Sequence, residues 1–191
     1  MKHTIREELH GVVAFVGAMW GVYALDWVVP GKFSDWGIVP RTLWGLVGIP
    51  LAPFLHAGFG HLLSNTVPLV ILLVLFAGSR ARTWPAVAEM ILLGGGLLWL
   101  FGRTADHVGA SILIYSLIAF LIVSGFREKR LVPIGIALLV GFLYGSTLFF
   151  GVLPTAGPGI SWDGHLCGAI AGALLGYFSV GADSSPTPMD P

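Results

Sequence analysis

At 191 residues, 55% hydrophobic and only 10% charged, with a mean hydropathy of +0.86, the chain is too apolar for a water-soluble globule and reads as a membrane protein. Its formal net charge of zero excludes the concentrated basic face that phosphates favour, so no nucleic-acid partner is expected. One cysteine, Cys167, excludes an internal disulfide and a Cys-rich metal centre.

The first ten residues, MKHTIREELH, are polar and mixed in charge, and are expected to form a cytoplasmic segment. The apolar run from Gly11 to Val29 is longer than a signal-peptide core and lacks a small-x-small cleavage site, so a retained first span is expected. Residues 30–60, with Pro, Gly, Trp36 and Trp44, suggest a loop lying in the membrane interface. Five more apolar segments follow, at about residues 61–78, 85–101, 109–125, 131–151 and 164–181, near the roughly 20 residues that a helix needs to cross a bilayer. SRART, GRTAD, REKR and PTAGPGISWDG separate them as loops. The expected fold is an all-α membrane protein, a six-transmembrane-helix bundle over 11–181, followed by a disordered Pro- and Ser-rich tail over 182–191.

With the N-terminus inside, Lys2, Arg6, Arg80, Arg82, Arg127, Lys129 and Arg130 are cytoplasmic, and only Lys32, Arg41 and Arg103 are outside. This fits the excess of basic residues on cytoplasmic loops, and both termini are expected there. The even-numbered spans then all begin at the outer face. Their first turns hold His61 and Asn65, Ser111, and His165. Intramembrane polar residues are costly in lipid and usually face a bundle interior or a watery cavity.

Ser111 and Tyr115 are four residues apart and share a helix face, roughly 40° apart. Gly109 leaves bare backbone beside the serine, at a helix N-terminus whose free amides can receive an anion. A lone membrane serine is otherwise a packing residue, bonded to its own helix. His165 opens GHLCGAIAGALLGYF, where Gly168, Gly172 and Gly176 recur every four residues and let another helix approach closely. If that face docks on the fourth span, His165 reaches Ser111 as a general base, with Tyr115 beside its ring. In HAGFGHLLSN, His61 and Asn65 share a face and could donate hydrogen bonds to an oxyanion, or simply bond a neighbouring helix, while His56 precedes the helix.

No HExxH occurs, so no metal or other cofactor is expected, and the spans hold no GxGD aspartate pair. Asp163 and Asp106 read as loop or cap residues, which favours a dyad over a triad. Cys167 reads as packing, and His107 as a loop residue without an assigned role.

HAGFGHLLSN, GASILIY and HLCGAIAG, in that order and in the second, fourth and sixth spans, resemble the three motifs of the rhomboid family of intramembrane serine proteases. The resemblance implies a rhomboid-like bundle in which Ser111 is the nucleophile and His165 its base. It implies an oxyanion hole of the Ser111 amide, His61 and Asn65, with His56 nearby and Tyr115 packed on the His165 ring. Gly109, Gly168 and Gly172 would permit the close helix contact. Many relatives have glycine directly after the serine and a small residue after the tyrosine, where this chain has Ile112 and Ser116. Many also carry adjacent Trp and Arg in the first external loop, whereas PRTLWG separates Arg41 from Trp44.

The expected activity is a serine endopeptidase that cuts transmembrane protein substrates near the outer face of a bacterial inner membrane, with the lipid bilayer as its other partner. The fifth span or the loop after it is expected to gate substrate entry. The alternative is a rhomboid-like pseudoprotease that binds transmembrane clients without cutting. A channel or transporter would want polar residues continuing across the bilayer, which the inner halves of the even spans lack. The sequence assigns no oligomeric state.

Overall fold

The six apolar runs become six long helices in the computed structural model, which describes residues 5–79, 83–157 and 159–182. In chain order the helices are α1 Ile5–Leu25, α2 Leu43–Leu51, α3 Phe59–Ser79, α4 Thr83–Phe101, α5 Ser111–Arg127, α6 Leu131–Gly151 and α7 Trp162–Ala182. Short 3-10 turns at Phe33–Trp36 and Ala52–Phe54 flank α2. Helix α1 begins well ahead of Gly11, inside the stretch read as a polar lead-in. The tail over 183–191 and the basic residues Lys2, Arg80 and Arg82 lie outside the described residues.

By length and composition α1, α3, α4 and α6 are long and apolar enough to cross a membrane, four of the six expected spans. Helix α5 has only 17 residues, and α7 has 21, with glycines at 164, 168, 172 and 176 along it. The brevity of α5 follows from what it faces. Residues Ile112 to Leu121 of α5 are all buried, so protein rather than lipid surrounds it. Leu69, Leu72, Leu73 and Phe76 of α3, Met90 of α4 and Val140 of α6 close round its Leu113, Leu117 and Ile118.

Helix α7 lies on α5 backbone to backbone. Gly168, Gly172 and Gly176 step along Ile112, Ser116 and Phe120, so the two helices run parallel in one register. At Gly168 and Gly172 a Cβ would collide with the carbonyl oxygens of Ile112 and Ser116, and at Gly176 it would fall 2.9 Å from that of Phe120. The Ser116 hydroxyl shares its hydrogen between Ile112 O, at 2.9 Å, and Gly168 O across the interface, at 2.8 Å. Serine is thus a functional choice after Tyr115, small enough for the contact and able to bond across it.

The segment before α3 is folded onto the loop between α4 and α5. Arg41, in the left-handed region at φ 61, donates to Gly102 O at 2.7 Å and Leu100 O at 3.3 Å, carbonyls at the end of α4. Trp99 Nε1 donates to Thr42 O at 2.8 Å, and Ile38 pairs with His107 in an isolated antiparallel bridge. Arg41 therefore anchors this loop without an adjacent tryptophan. Helix α2 leaves Leu43 85% and Trp44 56% exposed, an apolar surface that suits the expected place in the membrane interface.

Gly172→Ala should destabilise the protein by about 1–3 kcal/mol through overpacking. Gly141→Ala on α6, where a Cβ would meet nothing within 4 Å, should be neutral or slightly stabilising. Thermal unfolding in detergent micelles checks this, and equal shifts for the two variants would contradict the backbone contact.

Candidate active site

Helix α5 starts where a glycine makes the turn possible. Gly109 has φ +107, its amide donates to Ala52 O at 2.9 Å, and a Cβ there would stand 2.6 Å from Cε1 and Nε2 of His61. The His61 ring therefore lies against the bare backbone two residues before Ser111. Ala110 caps the helix with no side-chain hydrogen bond, so the first amides of α5, that of Ser111 included, have no capping acceptor.

His165 sits in the first turn of α7, whose amide hydrogen bonding begins with His165 N donating to Ser161 O at 2.9 Å. Its ring stacks on Tyr115, centroids 4.1 Å apart and planes 9° from parallel. The tyrosine is fixed in turn, its hydroxyl donating to Thr147 O of α6 at 2.9 Å. His165 Nδ1 lies 2.9 Å from Gly151 O, the last carbonyl of α6. A carbonyl only accepts, so Nδ1 carries the hydrogen, and Nε2 of the neutral ring keeps its lone pair. That orienting task falls to a carboxylate in a Ser-His-Asp triad and here to a main-chain oxygen.

Ser111 lies one turn before Tyr115 on the same face and is half-buried. Among the described residues no hydrogen bond joins Ser111 to His165. Ile112 points elsewhere: its side chain packs with Ile38, Ala52, Leu98 and Cys167, against Gly94 of α4 and Gly164 of α7. Those two glycines leave the room that the Ile112 side chain fills. Asp163 pairs with Arg103 rather than with His165, and Cys167 is buried packing, as expected.

Asn65 is buried and donates from Nδ2 to His61 O at 2.8 Å, which leaves its second amide hydrogen uncommitted. The His56 and His61 rings meet at 5.1 Å and 64°. The structure thus brings His165 onto Tyr115, His61 onto Gly109, His56 onto His61, and Gly168 and Gly172 onto the backbone of α5. The carbonyls of Gly151 and Thr147 were not foreseen. They belong to the backbone, and no residue type announces an acceptor carbonyl.

His56, in the turn before α3, is 4% exposed, and burial, reinforced by the neighbouring His61, pushes its imidazole down from 6.5 to about 4. The folded protein holds the ring neutral where the unfolded chain would protonate it. This contribution, on the order of 3 kcal/mol, is complete above pH 6.5 and is lost as the pH falls through about 4. Melting temperatures should therefore drop more steeply between pH 7 and 4.5 for the native protein than for His56→Gln, and parallel curves would contradict it.

The Rhomboid domain model matches residues 40–182, from the loop anchored by Arg41 to the end of α7. An uncharacterized protein of Mycobacterium bovis and one of Mycobacterium tuberculosis are each 39% identical over 176 residues, 87% of this chain and 72% of their own length. One of Mycobacterium leprae is 37% identical over 176 residues, 87% of this chain and 69% of its own. No solved structure matches. Since that match covers most of the chain and four of its helices are long and apolar enough to cross a membrane, the chain is an integral membrane protein that belongs to the rhomboid family.

Proposed function

We propose that the protein is an intramembrane serine endopeptidase working through a Ser111–His165 dyad. The observation that carries this reading is the seating of His165, stacked on Tyr115 and tied through Nδ1 to Gly151 O, which frees Nε2 to act as a base. Ser111 Oγ attacks the scissile carbonyl carbon as its proton passes to His165 Nε2. The resulting oxyanion accepts hydrogen bonds from the Ser111 amide, the free Asn65 Nδ2–H and His61. The imidazolium returns the proton to the leaving amine, which departs and leaves an acyl ester on Ser111. His165 then takes a proton from water, whose oxygen attacks the ester, and collapse restores the serine hydroxyl.

The substrates are transmembrane proteins with a helix-destabilising stretch near the outer surface. In this reading α5 and α7 complete six spans in a bacterial inner membrane, with both termini cytoplasmic. Helix α5 is short because protein encloses it, and non-helical backbone at membrane depth is tolerated where protein buries it. Entry past α6 would carry the substrate toward the end of that helix, where Gly151 O and Thr147 O hold His165 and Tyr115.

The pseudoprotease reading draws on one observation, the lack of a hydrogen bond between Ser111 and His165. Catalytic hydrogen bonds often tighten only when substrate binds, and both side chains are retained. Cleavage of a transmembrane substrate in liposomes separates the readings. Ser111→Ala should abolish it, and Asn65→Ala should lower turnover about a hundredfold to a thousandfold. Cleavage that survives Ser111→Ala, or no cleavage of any substrate by the native protein, would refute the protease reading.

A further inference from the structure

His107 joins the two halves of the dyad although it belongs to neither. It lies in the loop between α4 and α5, four residues before Ser111, and is 3% exposed. Its Nε2 lies 3.1 Å from Arg103 O, which can only accept, so Nε2 carries the hydrogen. Nδ1 of the neutral ring is then an acceptor, 2.7 Å from the Ser161 hydroxyl that donates to it. Ser161 is the residue whose carbonyl receives the His165 amide at 2.9 Å. A continuous path therefore runs from His165 N through Ser161 to the His107 ring, and from there along four residues of backbone to Ser111.

The surroundings hold this path in place. Asp163 Oδ2 accepts the Arg103 amide at 2.9 Å and lies 3.9 Å from His107 Nε2, and Oδ1 stands 3.3 Å from Arg103 Nε. Arg103 Nη2 donates to Ile160 O, next to Ser161. On its other side the His107 main chain pairs with Ile38, donating to Ile38 O at 3.1 Å and accepting from Ile38 N at 2.9 Å. The loop before α2, the loop before α5 and the start of α7 thus meet at one residue, His107.

We propose that His107 is a positioning residue of the protease, which acts through Ser161 to set His165 against Ser111. The inference rests on the dyad reading above. The glycine ladder fixes how α7 lies along α5 but leaves its first turn, where His165 sits, ahead of the last backbone contact at Gly168. The His107–Ser161 bond supplies the restraint at that end. A small misplacement of a general base costs much in rate and little in folding, because the ring still has its Tyr115 stack and its Gly151 bond.

The test compares His107→Phe, Ser161→Ala, the double variant and His107→Asn, which keeps a polar atom near the Nδ1 position. Four quantities are read for the full chain in detergent: the acylation rate of Ser111 by a fluorophosphonate, kcat and KM for a transmembrane substrate, and the melting temperature. His107→Phe and Ser161→Ala should each lower acylation and kcat roughly tenfold to a hundredfold with KM unchanged. The double variant should be no worse than the weaker single one, and His107→Asn should recover part of the loss. Additive losses, a rise in KM alone, unchanged rates, or losses that follow melting temperature would overturn the positioning role while leaving the dyad intact. A native protein that neither labels nor cleaves would instead refute the protease reading, and this inference with it.

Discussion

The structure depends on one backbone contact, the parallel seating of α7 on α5 through Gly168, Gly172 and Gly176. Two helices in lipid gain little from burying apolar surface, since the acyl chains are as apolar as leucine. What holds them is close packing and hydrogen bonding, and both need a face without Cβ atoms. With the carbonyls of Ile112 and Ser116 occupying the space that those atoms would fill, the register of α7 is fixed, and with it the height of His165. A shift by one glycine step, about 6 Å along the helix, would carry the ring about a full turn away from Tyr115.

This contact sets the two helices bearing Ser111 and His165 apart from the rest. Lipid-facing helices must be long and apolar, as α1, α3, α4 and α6 are. Helix α5 is enclosed, so it can be short, and α7 turns its glycines toward the α5 backbone. The site is then fixed largely by main-chain carbonyls: Gly151 O orients His165, Thr147 O holds Tyr115, and Gly168 O takes the Ser116 hydroxyl. Two of these belong to the last turns of α6. A displacement of that helix would reach His165 and its stacking partner directly.

Much of this was legible in the sequence, for reasons that differ from residue to residue. The long helices show as apolar runs, and a four-residue glycine period has few explanations in a membrane helix other than close contact. Gly109 is legible as bare backbone beside the serine at a helix start, though only the structure supplies its φ of +107 and His61 as the neighbour. The start of α1 was not legible, since Ile5 to His10 is mostly charged or polar, with only Ile5 and Leu9 apolar. Arg41 was noticed, but its separation from Trp44 hid its anchoring to the end of α4. The role of His107 was invisible because it depends on Ser161, 54 residues away, and the acceptor carbonyls leave no mark in the choice of side chain.

The claim on which the account turns is that His165 activates Ser111. Intact-mass and peptide analysis of the protein after exposure to a fluorophosphonate, for the native chain and for His165→Ala, measures it most directly. A single adduct mapped to Ser111, forming about a thousandfold or more slowly once His165 is removed from a protein that still melts cooperatively, is the predicted result. No adduct on the native protein, or one that forms at the same rate without His165, would contradict it.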